Sequence, residues 1–184
     1  MTPVYRIAQL ADIPAIEALI PLSARELQQA YYSPAQLDGA IGTVFGVDSQ
    51  LIRDGTYFVA VVGDRLVGCG GWSKRRTLYG GDRAKTGEDP LRDPCTEPAM
   101  IRAFFVHPAF ARRGIGRELM VRSEAAASAA GFREIEIVAT LAGEPLYAAC
   151  GYATTERYSV PLPNGAMLPV VRMKRSAPPP LSPP

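Results

Sequence analysis

Two apolar stretches joined by one glycine-led helical segment restrict what this chain can fold into. Residues 100–106 (MIRAFFV) form a continuous apolar run, and residues 133–139 (REIEIVA) form a second strand-like run. The segment between them turns at glycines and then reads as a helix as far as Ala130, with Gly131 as its stop. Two strands joined by one helix make a βαβ unit, whose strands are parallel with a right-handed crossover. The sequence therefore predicts an α/β domain built around this unit.

The remaining strand signals predict antiparallel neighbours on either side. Residues 4–9 alternate, 56–63 and 66–74 read as one hairpin, and a second hairpin turns at Pro163-Asn164-Gly165. We expect a mixed, mostly antiparallel sheet in one domain over residues 1–175. Residues 176–184 (SAPPPLSPP) are expected to be a disordered proline-rich tail, because proline has no backbone donor for a ladder.

Composition argues against several classes of protein. The net charge is only +2, which does not suit a nucleic-acid binder. No apolar run approaches the roughly 18–20 residues of a membrane span, and the N-terminus does not resemble a signal peptide. Three widely spaced cysteines, Cys69, Cys95 and Cys150, indicate neither a disulfide framework nor a metal site. We therefore expect a cytoplasmic protein with reduced thiols and no metal.

The segment FFVHPAFARRGIGRELM (104–120) predicts an anion site at a strand-to-helix junction. A helix N-terminus offers unpaired N–H groups and partial positive charge, and Gly114 and Gly116 allow a bulky anion to approach the backbone. Further charge comes from three arginines: Arg112, Arg113 and Arg117. The P-loop pattern is absent, and Leu119 occupies the third glycine position of the dinucleotide fingerprint. These residues suit a pyrophosphate, although a plain glycine turn with solvated arginines would look the same.

This segment resembles the pyrophosphate-binding turn of the GNAT superfamily of acyl-CoA N-acyltransferases. A second segment, PLYAACGY (145–152), resembles the PFYxxxGF segment of the family's fourth helix, and the order of elements agrees from Val4 to Lys174. The resemblance implies a GNAT-like sheet whose two central parallel strands part, with helices on both faces. It also implies acetyl-CoA as co-substrate. Two positions depart from the family pattern: Ala111 replaces the usual Gln or Arg, and Thr140 stands where an asparagine is common.

Roles for individual residues follow from the resemblance. The turn residues Arg112, Arg113, Gly114, Ile115, Gly116 and Arg117 would bind the diphosphate, with Thr140 as a further cofactor contact. The backbone of Phe104, Phe105 and Val106 would pair with the pantetheine arm, and the N–H of Val106 or a close neighbour would face the thioester carbonyl. Tyr147 would be the general acid that protonates the leaving thiolate, although an ordinary core tyrosine is the alternative. The general base stays open between Glu136, Glu97 and water, and His107 is interpreted as a turn residue.

The resulting hypothesis is an N-acetyltransferase that moves an acetyl group from acetyl-CoA to a primary amine by direct attack. The acceptor is a small molecule or peptide, with its site expected in residues 21–50 and the loop 75–98. Two alternatives remain, a transferase that uses another acyl-CoA and an acyl-CoA-binding sensor without turnover. Neither nucleic acid nor membrane is an expected partner, and the resemblance leaves a homodimer open.

Overall fold

The structure, a computed structural model, describes residues 2–179 and contains one mixed sheet of seven strands. In chain order the strands are β1 (Val4–Ile7), β2 (Tyr57–Val62), β3 (Arg65–Ser73), β4 (Ala99–Val106), β5 (Glu134–Thr140), β6 (Ala153–Pro161) and β7 (Met167–Ser176). Their spatial order is β1-β2-β3-β4-β5-β7-β6. Only β4 and β5 run parallel, and every other neighbouring pair is antiparallel. The predicted fold class is confirmed.

Helices cover both faces of this sheet, as the resemblance implied. They are α1 (Ile13–Gln28), α2 (Pro34–Ala40), α3 (Ser49–Arg53), α4 (Ile115–Ala129) and α5 (Glu144–Ala149). On one face, Ile20 of α1 and Leu51 of α3 belong to a buried core with Val170 of β7. On the other face, Met120 of α4 packs in a second core with Ile135 of β5. Each face buries the apolar side of its helices against alternate residues of the strands.

The two central strands part after a short paired segment. Their parallel register runs only from Ala99 opposite Ile135 to Ile101 opposite Ile137. At the point where pairing stops, Ala103 adopts a left-handed backbone conformation with φ of 56°, and the register with β3 shifts. A bulge of this kind bends a strand away from its neighbour. The gap that the resemblance implied therefore opens where β4 bends.

The predicted boundary of the tail comes too early. Strand β7 continues through Ser176, and the Ala177 N–H donates to the Arg133 carbonyl oxygen at 2.9 Å. The Pro178 carbonyl oxygen then accepts a hydrogen bond from the Ser128 hydroxyl at 2.7 Å. Proline lacks a donor but keeps its carbonyl acceptor, so it can still be tied to the domain. Residues 180–184 lie outside the described part of the chain.

The structure also bears on the thiols and on membrane insertion. All three cysteines, which lie in the described part of the chain, are free: Cys69 is buried, Cys150 is half-buried and Cys95 is exposed. From residue 2 to residue 179 no helix combines the length and the apolar character needed to cross a bilayer. Over the same residues, His, Cys, Asp and Glu side chains form no group of three or more that could hold a metal ion.

Candidate active site

A cavity lies in the gap between β4 and β5. Residues 101–105 of β4 form one wall, and Ile137, Val138 and Thr140 of β5 form the other. Tyr147 of α5 also lines the cavity. The opposite side is lined by residues from α1, the segment after α2, the long loop and the last hairpin: Gln28, Val44, Phe45, Leu78, Tyr79, Gly80, Val160 and Val170. The structure thus brings parts of both segments expected to form the acceptor site, 21–50 and 75–98, to one cavity.

At the end of β4, consecutive N–H groups point to opposite sides, one towards β3 and one towards this gap. The His107 N–H donates to the Val67 carbonyl oxygen of β3 at 2.8 Å. Since neighbouring residues of a strand alternate in direction, the Val106 N–H points away from β3 and towards the gap. There it donates to the Ser23 hydroxyl oxygen of α1 at 3.2 Å. The Val106 N–H, which was expected to face the thioester, is therefore already hydrogen-bonded to Ser23. A close neighbour on the same edge is the better candidate for that role.

The two phenylalanines of β4 lie on opposite faces of the sheet. The Phe105 ring is buried against Phe45, with 5.9 Å between ring centroids. The Phe104 ring lies on the α4–α5 face, edge-on to Tyr147 at 6.4 Å. A Cβ at Gly70 of β3 would stand 2.7 Å from the Phe104 ring, so only glycine leaves room for it. Both side chains are therefore held in place by packing, and both residues line the cavity.

Tyr147 is buried in an aromatic cluster at the end of the gap. Its ring packs between Phe104 and Tyr152, with centroids 6.4 and 6.2 Å away. A Cβ at Gly143 would stand 2.8 Å from this ring, so glycine at the start of α5 makes room for it. Burial raises the pKa of Tyr147 far above its usual range, and the neighbouring Cys150 thiol adds to the rise. The hydroxyl therefore keeps its proton at neutral pH, as a proton donor must.

The arginine-glycine turn forms a short exposed loop before α4. Gly114 is the N-cap residue and has a left-handed φ of 83°, and Arg112 has a φ of 62°. Arg112, Arg113 and Arg117 are all exposed, and the Arg113 guanidinium lies 5.3 Å from the centroid of the Phe110 ring. The turn thus exposes the free N–H groups of a fifteen-residue helix beside three cations.

Ile115 and Gly116, the two residues after Gly114, contribute to the packing of α4. The Ile115 side chain is fully buried in the core under β2 and β3, so only its backbone is available to a ligand. A Cβ at Gly116 would stand 3.2 Å from the Leu146 Cδ2 and 3.9 Å from the Val106 Cγ2. Gly116 therefore allows α4 to approach both α5 and β4 closely.

Thr140, at the end of β5, lies at the cavity wall and also shapes the turn into α5. Its hydroxyl oxygen accepts a hydrogen bond from the Gly143 N–H at 3.1 Å. This hydroxyl can still donate its own hydrogen, so one contact to a ligand stays available.

The candidate bases differ in their surroundings. The Glu97 carboxylate accepts from the Asp93 N–H at 2.8 Å and pairs with Arg76 at 3.1 Å, and these contacts hold its pKa below the usual value. Glu136 is half-buried on β5, two residues before Val138, and therefore shares the face of β5 on which Val138 lies. The Glu97 carboxylate is therefore already bonded within a surface turn, whereas Glu136 lies on the face of β5 that includes the cavity residue Val138.

His107 has a structural role at the strand exit. Its Nδ1 accepts a hydrogen bond from the Ala109 N–H at 3.1 Å and caps the 3₁₀ turn Pro108–Phe110. Burial, with a contribution from Arg65, lowers the pKa of His107. This geometry agrees with the interpretation as a turn residue.

Sequence reasoning missed two polar side chains of α1 that face the site, Ser23 and Gln28. The available signal was periodicity. Ile16, Ile20 and Ala24 recur at intervals of four and are all buried, and Gln28 is the next residue on that stripe. A polar residue on the apolar stripe of a helix marks a position with an unusual task.

Comparisons with known proteins agree with this geometry. Residues 22–152 match the acetyltransferase (GNAT) family. A GCN5-related N-acetyltransferase from Rhodopseudomonas palustris superposes with a TM-score of 0.71 at 22% identity, covering 96% of each chain. The yncA protein of Salmonella typhimurium, solved with acetyl-CoA, gives 0.65 at 16% identity over 100% of this chain and 99% of its own. The paiA N-acetyltransferase of Thermoplasma acidophilum, in complex with coenzyme A, gives 0.65 at 11% identity over 96% and 99%. No curated protein sequence matches at a significant level.

Proposed function

Because the chain belongs to the acetyltransferase (GNAT) family, we propose that it transfers the acetyl group of acetyl-CoA to a primary amine of a small molecule or peptide. The observation that carries this proposal is the buried Tyr147 at the end of the gap between β4 and β5. The exposed arginine-glycine turn at the start of α4 supports it. Acetyl-CoA supplies the acetyl group as an activated thioester. The chain would bind this co-substrate, orient its thioester and protonate the leaving thiolate.

The turn between β4 and α4 would hold the diphosphate. Arg112, Arg113 and Arg117 supply charge, and the N–H groups of Ile115 and Gly116 lie in the first turn of α4. The space in front of Gly114 is open to the diphosphate, since a Cβ added at this position would have no atom within 4 Å. The Thr140 hydroxyl would add a contact at the far side of the gap.

The exposed edge of β4 would align the pantetheine arm in the manner of an added strand. Because the Val106 N–H donates to Ser23, the nearby Phe104, which lines the cavity, is the candidate to take its place. We assign the Phe104 N–H as the donor to the thioester carbonyl oxygen, where it would stabilise the negative charge that develops during attack.

Proton transfers would be divided between two groups. The Tyr147 hydroxyl would protonate the leaving thiolate, because burial keeps it neutral and a bare thiolate in this cavity would be poorly solvated. The proton of the attacking amine would leave through water or to Glu136. Glu97 is less suitable because its carboxylate already holds a turn.

One observation favours a sensor without turnover as the second candidate. Among the described residues, those that line the cavity include no aspartate, glutamate or histidine that could act as a base. Release of free thiol from acetyl-CoA in the presence of a panel of amines decides between the two. Thiol release that depends on an amine supports the transferase, and binding of acetyl-CoA without thiol release supports the sensor.

Acetyl-CoA is expected to bind without any acceptor, since the turn at 112–117 and the edge of β4 belong to this chain and require no contact from the amine. Calorimetry should give a one-to-one complex with acetyl-CoA and far weaker binding of ATP and NAD. Equal affinity for ATP or NAD would refute the assignment of the cofactor.

Gly114→Val is expected to weaken acetyl-CoA binding by about tenfold or more, because the β-branched side chain disfavours a φ of 83° and occupies the path of the diphosphate. The matched control is Gly63→Val in the β2–β3 turn, where φ is 63° and the space is equally open. Both variants should lose similar stability, about 1–2 kcal/mol. Only Gly114→Val should lose affinity in calorimetry, and equal affinities for the two variants would contradict the assigned turn.

A further inference from the structure

The side-chain oxygen of Gln28 is a buried acceptor without a partner among the described residues. Gln28 is the last residue of α1, it is 7% exposed, and it lines the cavity. Its Oε1 is buried and accepts no hydrogen bond from residues 2–179. Buried acceptors are normally paired with protein, water or a ligand, so an unpaired acceptor that lines a cavity can be completed by a molecule that enters the cavity.

The cavity wall that includes this amide is mostly apolar. On the side of α1, the long loop and the last hairpin it is lined by Val44, Phe45, Leu78, Val160 and Val170, together with Tyr79 and the backbone of Gly80. Within residues 2–179, the lining includes no aspartate or glutamate that could pair with an ammonium group. An ammonium group that entered would lose its hydration without gaining a counter-charge.

The one guanidinium side chain of the lining is already engaged. Arg102 donates to the Asp48 carboxylate at 3.0 Å and to the carbonyl oxygens of Thr77 and Gly80 at 2.8 and 2.7 Å. It is only 3% exposed. Arg102 is therefore not available to bind a carboxylate on the acceptor.

We propose that Gln28 positions the acceptor and that the acceptor is a monoamine with an apolar body, which enters the cavity in its uncharged form. The inference rests on the proposed function. An N–H of the amine donates to the Gln28 Oε1, while its apolar body contacts the valine and leucine side chains. The amine nitrogen forms a bond to the acetyl carbonyl carbon as the carbon–sulfur bond breaks. The amine proton leaves to water or Glu136, and the thiolate takes the Tyr147 proton.

Two pairs of amines test the substrate class, each pair differing by one charged group. Pentylamine is compared with 1,5-diaminopentane, and 2-phenylethylamine with phenylalanine. We expect kcat/KM to be about tenfold or more higher for the first member of each pair, since one unpaired charge in an apolar site costs at least that much. Equal or higher values for the diamine and the amino acid would overturn the inference.

Gln28→Leu tests the amide itself, with Gln29→Leu as the matched control because Gln29 is the exposed C-cap residue that follows it at the end of α1. We expect Gln28→Leu to lower kcat/KM for pentylamine by about tenfold, the value of one hydrogen bond. Its affinity for acetyl-CoA should not change, and its melting temperature should stay level or rise because an unpaired acceptor is removed. Unchanged kinetics with a lower melting temperature would show that the amide only supports the fold.

A binding measurement separates failure of this inference from failure of the proposed function. Absence of thiol release with every amine would refute the transferase. N-pentylacetamide, which offers both an N–H and a carbonyl to the amide, can still be titrated by calorimetry into the parent protein and both variants in the presence of coenzyme A. Weaker binding to Gln28→Leu alone supports the role of Gln28, and equal binding to all three overturns it.

Discussion

We expect Tyr147→Phe to lower kcat by about 10²–10⁴-fold, the range for loss of one acid–base group. The substitution removes only the hydroxyl and keeps the ring that packs against Phe104 and Tyr152. Acetyl-CoA affinity and melting temperature should therefore change little. Because the proposed role of the hydroxyl is confined to the step in which the thiolate leaves, kcat and kcat/KM should fall together. Steady-state kinetics with the best amine of the panel measure both.

The matched control is Tyr152→Phe. Tyr152 is equally buried in the same cluster, but its hydroxyl contacts the Met120 sulfur at 3.9 Å. We expect a near-parental kcat from this variant. A parental kcat in Tyr147→Phe would instead show that Tyr147 only packs and that water or the amine supplies the proton.

The pH profile gives a second readout for the same residue. Burial raises the pKa of Tyr147, so its proton-donating form is fully present below the raised value. The rate should therefore rise with pH between about pH 7 and about pH 9, as more amine becomes neutral, without a fall from loss of the acid. A fall within this interval that disappears in Tyr147→Phe would mean that the hydroxyl ionises there.

Asp48→Asn is expected to lower the free energy of unfolding by about 3–5 kcal/mol, since it leaves the buried Arg102 guanidinium without its counter-charge. The Asp48 Oδ2 accepts from Arg102 at 3.0 Å and the Oδ1 from Lys85 at 2.6 Å. The side chains of Asp48 and Arg102 are 1% and 2% exposed. Asparagine keeps one acceptor oxygen but has no charge. Urea denaturation measures the difference.

An exposed ion pair provides the control for this variant. Asp38 pairs with Arg25 at 2.7 Å, but the two side chains are 57% and 54% exposed. Asp38→Asn should therefore change the free energy of unfolding by about 1 kcal/mol or less. Similar losses for Asp38→Asn and Asp48→Asn would show that burial does not decide the strength of these pairs.

The sequence alone was enough to predict the fold class and the family, because both depend on short-range patterns. The run 100–106, the glycine turn and the strand 133–139 determine a βαβ unit by periodicity and by the positions of Gly114 and Gly131. Tyr147 was singled out through a segment of eight residues, and the structure places it at the cavity. The tail boundary was wrong because composition shows that proline cannot donate, but not that the Pro178 carbonyl meets Ser128.

Only the tertiary structure decided how the site is completed. Ser23 accepts a hydrogen bond from the Val106 N–H although the two residues are 83 positions apart in the sequence. Asp48 accepts one from Arg102, 54 positions away. Gln28 reaches the cavity because α1 packs across β4. Periodicity marks Gln28 as a polar residue on a buried stripe, but it does not specify which residue each side chain contacts, since each contact depends on where two separately folded elements come together. Local pattern therefore determined the strands, the helices and the arginine-glycine turn, and packing between distant elements decided which donors are hydrogen-bonded and that the Gln28 Oε1 is left without a partner among residues 2–179.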